Sequence, residues 1–376
     1  MGTQFRGAVL GLLPALVACG GEAVSLPVHG VAPRTAEDIA PPHANRYAVA
    51  TRSPVPLPEG GAPEHAACGE ADATLDEVAA RLVTDPDRDP DHVTTLLRES
   101  GEPHVRPRVV RAPSPEAAHA SLASLHHATT RCGVAIGESG LVAVLVDAPA
   151  DLDPLPTHAR TGTWLTFSAT LHVPVSGARL VVLGPRGAPR TVPTSLDRGH
   201  VRARFALEAP GAFTVQLVGD RDTGPEPLLE ARVFADVPDD AVTPPAPGEE
   251  AGNDADALER MTAVLRTSEG LGALRRMPEL DALAEAHVRK MRATGRIAHD
   301  VGDGDVVARL DDAGIGGVRT AGENVGRAPT VALAHRALHA SPSHRANLLH
   351  PRFREVGFAT VESDGMVWVC EVFVGP

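Results

Sequence analysis

The chain has 376 residues and a formal net charge of −13, with 43% hydrophobic and 22% charged residues. This length exceeds that of one ordinary domain, and the apolar fraction excludes a wholly disordered chain. The negative charge argues against a nucleic-acid partner, because nucleic-acid binding needs a basic surface that neutralises phosphates. Aromatic residues make up only 3% of the chain, which leaves little material for stacking on bases.

Residues 1–19 have the features of a signal peptide. Arg6 precedes an apolar run from Gly7 to Ala18, which is too short to cross a bilayer. The run ends in Leu-Val-Ala-Cys, which resembles the lipobox of bacterial lipoproteins, so we expect Cys19 to carry lipid and to hold the protein on a membrane. The alternative is an ordinary secretory signal with an unrelated cysteine. Both interpretations predict an extracytoplasmic protein, and the first predicts a lipid-anchored protein of the cell envelope.

The remaining cysteines are expected in an oxidising compartment, where pairing is allowed. Cys68 and Cys132 bracket one candidate module, and a disulfide between them is a candidate bridge. Cys370 lies in an apolar strand pattern, which favours a small buried side chain. No two cysteines are spaced as Cys-x-x-Cys, so we expect no zinc site built from thiolates.

Composition and periodicity divide the rest of the chain into modules, and the predicted fold class is α+β. The predicted segments are a disordered Pro/Gly/Ala tether at 20–64, a small α/β module at 65–150, a β-sandwich at 155–237, a linker at 238–253 and a C-terminal module at 254–376. Short strands with period-two alternation and frequent turns make the β-sandwich immunoglobulin-like. In the α/β module, helical segments precede two short strands around 133–136 and 141–146.

The α/β module and the C-terminal module share a short pattern. Gly133-Val134-Ala135 and Gly357-Phe358-Ala359 each open a similar hairpin, and a single inserted residue aligns the two. The hypothesis is that the α/β module is a degenerate copy of the C-terminal one. The alternative is convergence, since short hairpins converge easily.

The C-terminal module has clear helix and hairpin signals. Asn253 or Asp254 is predicted to cap a first helix. A second helix carries apolar residues at helical spacing and stops at Gly295, a left-handed cap. Two strands near the end of the chain are joined through Ser363-Asp364-Gly365, a sequence typical of a tight turn.

Several ordered motifs in this module resemble a known family. They are Leu283-Ala284-x-x-His287-x-x-x-Met291, Ile297-Ala298-His299, Ala321-Gly322-Glu323-Asn324-Val325 and Ser341-Pro342-Ser343-His344-Arg345-Ala346-Asn347. Together they are similar to the CAP superfamily (cysteine-rich secretory, antigen 5 and pathogenesis-related proteins), in its bacterial SCP-like branch. The resemblance covers about 120 residues of the 376 and implies a three-layer α-β-α sandwich with a cavity lined by histidines and acidic residues.

The candidate cleft residues are His299, Glu323 and His344, with Asn324 beside them. Ser341 is a natural N-cap that places His344 in the first turn of a helix, where a neutral imidazole is favoured over a charged one. Two imidazoles and a carboxylate are a donor set that a divalent metal such as Zn²⁺ accepts. The resemblance implies such a site, because metal binding of this kind has been proposed for family members.

Each of these residues also has a purely structural interpretation. Glu323 can accept backbone N–H bonds that hold its loop together, and the two histidines can be satisfied without any ligand. Animal members of the family often have a second cavity glutamate, but the corresponding stretch 337–341 has none, which weakens any four-ligand or acid–base proposal.

Three other histidines also need an interpretation. His287 lies on an apolar helix stripe and is expected to be a satisfied core residue. His335 and His339 are i, i+4 neighbours, but without the glutamate of His-Glu-x-x-His they favour a solvated helix face.

The favoured function is a binding module whose cleft takes a small molecule, lipid, peptidoglycan fragment, peptide or protein. The alternatives are a metal-dependent hydrolase that uses the same cleft and a purely structural adhesin. Because the sequence has neither a nucleophile–base pair nor a complete metalloprotease motif, it favours binding over catalysis, and the enzyme question stays open.

Overall fold

A computed structural model describes residues 72–84, 90–104, 106–125, 127–238 and 252–376. The predicted signal peptide, the tether, Cys19, Cys68 and most of the predicted linker lie outside the described residues. Helices and sheets are mixed along the described chain, which is an α+β architecture. None of the described helices combines the length and the apolar character that a membrane span requires.

The N-terminal module has three layers. Its elements are α1 (Ala73–Thr84), α2 (Pro90–Ser100), β1 (Arg108–Ala112), α3 (Pro115–Leu125), β2 (Thr130–Gly137) and β3 (Gly140–Asp147). The antiparallel sheet has the order β1-β3-β2. Helices α1 and α2 pack on one face of the sheet and α3 packs on the other. The structure contains both strands predicted for this module and adds β1.

The middle module consists of two sheets around one core. Its strands are β4 (Ala150–Leu152), β5 (His158–Ala159), β6 (Trp164–Leu171), β7 (Gly177–Leu183), β8 (Arg190–Val192), β9 (Thr194–Asp197), β10 (His200–Ala206), β11 (Gly211–Arg221) and β12 (Gly224–Ala235). One sheet has the order β4-β6-β10-β9 and the other β5-β12-β11-β7-β8. Their inner faces bury alternate residues such as Phe167, Phe205 and Val215. The more specific description as immunoglobulin-like stays a prediction.

The C-terminal module is a three-layer α-β-α sandwich. Its elements are α4 (Ala255–Ser268), β13 (Arg275–Arg276), α5 (Pro278–Thr294), α6 (Val306–Asp312), β14 (Thr320–Ala328), α7 (Val331–Ala340), α8 (Pro342–Leu348), β15 (Glu355–Ser363) and β16 (Met366–Gly375). The sheet has the order β13-β15-β16-β14. Helices α4, α7 and α8 cover one face, and α5 and α6 cover the other.

Local signals in the sequence explain how these elements begin and end. The Asp254 side chain accepts the Ala257 N–H and caps α4. Gly295 ends α5 with φ 66°, a left-handed value that favours glycine. The turn between β15 and β16 places Asp364 and Gly365 at φ 55° and 72°. The structure thus confirms the predicted cap at the start of α4, the predicted stop of α5 at Gly295 and the predicted turn between the last two strands.

The N-terminal and C-terminal modules share an unusual close approach between a helix and a strand. A Cβ atom added to Gly133 on β2 would lie 2.0 Å from the backbone carbon of Leu75 on α1. A Cβ atom added to Gly357 on β15 would lie 2.2 Å from the backbone carbon of Leu280 on α5. Only glycine lets the two backbones approach this closely.

The residues that follow these glycines and leucines also match. The Val134 N–H donates to Asp76 Oδ1 at 2.7 Å, and the Phe358 N–H donates to Asp281 Oδ1 at 2.8 Å. Each aspartate follows the leucine at the close approach, and each N–H follows the glycine. These paired contacts and the matching strand orders support the hypothesis that the N-terminal module is a degenerate copy.

The strand register aligns the two hairpins differently from the alignment that the sequence pattern suggests. Gly133 pairs with Val144, and Gly357 pairs with Val372. Pairing continues for four residues past Gly133 but for six past Gly357, because the C-terminal hairpin is longer at its tip. The alignment with a single inserted residue is therefore wrong for the second strand.

The i, i+4 histidines of α7 do not form a solvated face. His335 is 0% exposed and His339 is 5% exposed. Burial lowers the pKa of His339 to about 3, with smaller effects from the charges of Arg345 and His335. The prediction was wrong because α7 packs against α4, α8 and the sheet and has little surface left in contact with water.

Candidate functional site

His299 and Glu323 form the centre of the candidate site. Glu323 lies on β14 and faces the α5 layer, while His299 lies in the loop after α5. The distance between His299 Nδ1 and Glu323 Oε2 is 2.8 Å. The carboxyl side chain is 1% exposed and the imidazole 17%. Since the carboxylate accepts, His299 donates through Nδ1–H, and in the neutral form of the ring Nε2 is an acceptor.

Arg309 on α6 holds the other side of the carboxylate. Its guanidinium donates to Glu323 Oε1 at 2.6 Å and to the His299 carbonyl at 3.2 Å. Burial alone would raise the pKa of Glu323, but the hydrogen bond and charge of His299 and the charge of Arg309 outweigh it and lower the pKa. Glu323 is therefore a buried carboxylate that fixes the orientation of the His299 ring through the hydrogen bond to Nδ1.

Two further buried residues lie beside this carboxylate. His287 is 0% exposed, and its nitrogens contact Asp303 Oδ2 at 2.8 Å and the Ala298 carbonyl at 3.1 Å. Both ring nitrogens are satisfied, as predicted for a core histidine. The Cys370 thiol donates to Glu323 Oε1 at 3.6 Å, and burial raises the pKa of Cys370 well above its usual range. Cys370 is thus a free, buried thiol.

His344 lies in α8, within electrostatic range of His299. Ser341 is the N-cap residue of this helix and Pro342 follows it, as predicted. Nδ1 of the half-buried His344 lies 2.8 Å from Ser341 Oγ. The pKa of His344 is lowered to about 3, first by burial and then by the charges of His299 and Arg106. His344 is therefore a neutral imidazole close to His299, and burial contributes more to this than the helix end does.

Asn324 lies on the other side of the sheet. Neighbouring residues of a strand face opposite sides, so Glu323 faces α5 while Asn324 faces α8. Asn324 is 0% exposed, and its Nδ2 donates to the His344 carbonyl at 3.2 Å and to Glu371 Oε2 at 2.9 Å. Its Oδ1 accepts from Asn347 at 3.0 Å. It fixes α8 to the sheet, on the face opposite to Glu323.

Sequence reasoning missed Glu371 on β16. Its side chain is 0% exposed, and its Oε1 has no hydrogen-bond partner within the described part of the chain. Burial raises the pKa of Glu371 to about 7, and the hydrogen bond from Asn324 lowers it by less. The sequence signal that could have identified Glu371 is that it is the single acidic residue in the otherwise apolar run Val367–Val374.

The donor set predicted for a metal is partly engaged in hydrogen bonds within the protein. The described residues contain no group of three or more His, Cys, Asp or Glu side chains arranged to hold a metal ion. Both oxygens of Glu323 already accept from His299 and Arg309, and the guanidinium opposes a second cation at the same carboxylate. The present hydrogen bonding does not fit a metal site with Glu323 as a ligand, so we derive no step through a metal.

The cysteines agree in part with the predicted pairing. Cys132 is disulfide-bonded. Its predicted partner, Cys68, lies outside the described residues, so the pairing itself stays a prediction.

Comparison with known proteins assigns the C-terminal module. The model of the cysteine-rich secretory protein family (CAP) matches residues 260–372. This part of the chain is a CAP domain. No curated protein matches the chain.

Three solved structures are similar to this chain. The match to an outer surface protein from Borrelia burgdorferi is 18% identical, covers 32% of this chain and 90% of that protein, and has a TM-score of 0.30. An extracellular SCP-domain protein from Bacillus anthracis is 14% identical, with coverages of 61% and 86% and a TM-score of 0.30. A cysteine-rich secretory protein from Staphylococcus aureus is 13% identical, with coverages of 81% and 97% and a TM-score of 0.29. These TM-scores are too low to transfer a function to the CAP domain.

Proposed function

We propose that the CAP domain is a ligand-binding module of an extracytoplasmic, lipid-anchored envelope protein. One observation carries this proposal: His299, held by the buried Glu323–Arg309 pair, lies close to His344, which is neutral. The ring nitrogens that point away from these fixed contacts, Nε2 of His299 and of His344, have no hydrogen-bond partner among the described residues. They are available to a polar ligand.

The same geometry favours binding over catalysis. The nearest hydroxyl to His344 is that of Ser341, at 2.8 Å from Nδ1. A base with a pKa of about 3 is too weak to activate a serine hydroxyl at neutral pH. The Ser341–His344 pair therefore supports a structural contact rather than a nucleophile and its base.

The cellular location is part of the proposal. The apolar run before Cys19 supports export and lipidation, and the disulfide of Cys132 is suited to an oxidising compartment. In this location the accessible ligands are peptidoglycan fragments, lipids, peptides and proteins. The proposed membrane partner acts through the lipid on Cys19.

Calorimetric titration of the purified chain tests the ligand site. The probes are soluble peptidoglycan fragments, a short-chain phosphatidylglycerol below its micelle concentration, and a random peptide mixture. We expect saturable binding of at least one probe, weakened about tenfold or more by His299→Ala and by His344→Ala. His200→Ala, at an exposed histidine on β10, is the matched control. The proposal would be contradicted if none of the three probes bound saturably. It would also be contradicted if both cleft variants bound the probe with the affinity of the wild-type protein.

The metal-dependent hydrolase predicted as an alternative has its own test. A Zn²⁺ titration of the wild-type chain, of His299→Ala and of His344→Ala measures whether the two available Nε2 atoms bind the ion. If the Zn²⁺ affinity of both variants equals that of the wild-type chain, these two histidines do not form a metal site. Tight Zn²⁺ binding together with hydrolysis of a probe would overturn the non-enzymatic proposal.

A further inference from the structure

The β-sandwich lies directly against the CAP cleft. The turn between β11 and β12 presents the Thr223 carbonyl, which accepts the Asp300 N–H at 3.1 Å. The next residue, Gly224, has φ 101°, and a Cβ atom there would lie 2.7 Å from His299 Cβ. No side chain fits between this turn and His299. The hairpin therefore supports the first cleft histidine from outside the CAP domain.

Gln216 on β11 reaches the second cleft histidine through α8. The Gln216 side chain is buried, and its Oε1 accepts the Ser343 N–H at 3.0 Å. Its Nε2 donates to Glu230 Oε2 at 3.0 Å and to Ser341 Oγ at 3.2 Å. A backbone N–H can only donate and a carboxylate can only accept, so these partners fix the orientation of the amide.

The position of Glu230 is fixed in turn by the N-terminal module. Arg98 on α2 donates through Nε to Glu230 Oε1 at 2.8 Å, while Oε2 accepts from Gln216. The Glu230 backbone N–H donates to the Pro103 carbonyl at 2.8 Å. A continuous series of hydrogen bonds thus joins all three modules and ends at α8.

The direction of this series assigns the proton on His344. The Ser341 hydroxyl receives a hydrogen bond from Gln216, so its own hydrogen needs an acceptor. Among the described residues, the acceptor within reach is His344 Nδ1, at 2.8 Å. With Nδ1 as an acceptor, the neutral ring carries its proton on Nε2.

The two cleft histidines therefore offer opposite hydrogen-bonding groups. His299 donates through Nδ1–H to Glu323 and, in its neutral form, keeps Nε2 as an acceptor. His344 accepts at Nδ1 and keeps Nε2–H as a donor. A ligand group that both accepts and donates, such as a hydroxyl or a carboxamide, satisfies both nitrogens.

We infer that Gln216 is a positioning residue of the cleft and that the β-sandwich completes the ligand site. Gln216 fixes the Nε2–H form of His344 through Ser341, and the site thereby selects an uncharged ligand group that carries both a donor and an acceptor. This inference rests on the proposed function for its ligand, but the protonation pattern it assigns exists without one.

Two-bond ¹H–¹⁵N spectra of the histidine-labelled full chain at pH 7 test the inference directly. We expect the wild-type protein to show His344 protonated on Nε2 and His299 protonated on Nδ1. Gln216→Leu removes the donor to Ser341, whose oxygen can then accept from His344. The ratio of the Nε2–H to the Nδ1–H form of His344 should fall about tenfold or more. Thr214→Val, on the same face of β11, should leave the ratio unchanged.

A second variant keeps the test decisive if Gln216→Leu does not fold. Ser341→Ala removes the hydroxyl itself and should also abolish the strong preference for the Nε2–H form, while the His287 signals report whether the fold is intact. A wild-type His344 protonated on Nδ1 would overturn the inference, as would an unchanged ratio in folded Gln216→Leu or Ser341→Ala. Because no ligand is present, this result is separate from the success or failure of the three binding probes.

Discussion

The N-terminal module and the CAP domain are built on the same frame, yet they differ in which positions of that frame carry buried polar residues. In both, a leucine on a helix approaches a glycine on a strand, and the next residue of the helix accepts the next N–H of the strand. Seven residues after that leucine, the N-terminal module has Leu82 and the CAP domain has His287. Both side chains are 0% exposed. The frame therefore does not need the histidine in order to fold.

The strand register extends this comparison to the first strand of each sheet. Val109 pairs with Val144 in the N-terminal module, and Glu323 pairs with Val372 in the CAP domain. Since Val144 and Val372 each pair with the helix-contacting glycine, Val109 takes the register position of Glu323, although Val109 is 36% exposed and Glu323 only 4%. The difference teaches that the shared frame does not require a buried carboxylate at this position, where the CAP domain bears a desolvation cost that the N-terminal module avoids.

The largest expected effect comes from breaking the buried pair. Arg309→Met leaves the buried Glu323 carboxylate without its guanidinium partner, so we expect a loss of about 3–5 kcal/mol in the free energy of unfolding. Urea denaturation followed by the fluorescence of the buried Trp368 measures this loss. The double variant Arg309→Met/Glu323→Val also removes the unpaired carboxylate and should recover most of this loss. A double variant no more stable than Arg309→Met would show that the unpaired carboxylate is not the cause of the loss.

Substitution of the two glycines at the close approaches tests whether helix and strand pack equally closely in the two modules. Gly133→Ala and Gly357→Ala each force a methyl group into a helix backbone, at a cost of about 1–3 kcal/mol or more. Hydrogen exchange read by mass spectrometry should show faster exchange of α1 and β2 in the first variant, and of α5 and β15 in the second. Gly316→Ala is the control, because a Cβ there meets nothing within 4 Å. If Gly133→Ala behaves like this control, the proposed equivalence fails.

Substitution of Glu371 is expected to have its smallest effect on the free energy of unfolding at low pH, and this effect grows as the pH rises. By register, its place in the N-terminal module is taken by Ala143. Burial raises its folded-state pKa to about 7, whereas the unfolded value is about 4.3. Its contribution to stability is therefore complete below the unfolded pKa and is lost as the pH rises through about 7.

Glu371→Gln removes this titration. Its stability relative to the wild-type protein should rise by about 1.4 kcal/mol per pH unit between these two pKa values and level off above them. Urea denaturation at a series of pH values from acid to mildly alkaline measures the difference. Two parallel stability curves would mean that Glu371 is not a buried titrating group.

Local signals in the sequence were enough for much of the CAP domain. The apolar stripe of α5, the cap at Gly295 and the turn at Ser363–Gly365 depend on neighbouring residues, and the structure confirms all three. The proximity of His299 and Glu323 followed from the family resemblance rather than from spacing.

Contacts between distant segments could not be predicted in this way. Gln216 lies 125 residues before Ser341, and no periodicity in the sequence connects the two. The burial of His335 likewise depends on the packing of α7 against α4, α8 and the sheet, whereas its local sequence is typical of an exposed helix face. Asn324 was grouped with Glu323 by adjacency, although neighbouring residues of a strand face opposite layers.

The pH titration of His344 tests most directly whether the two cleft histidines share one desolvated site in the CAP domain. The ¹³Cε1 resonance of His344 reports its protonation in the full chain. We predict that His344 stays neutral as the pH falls from neutrality toward its pKa of about 3, because burial and the charges of His299 and Arg106 oppose its protonation. A transition near the ordinary histidine value of about 6.5 would place the ring in water, away from His299, and would contradict the account.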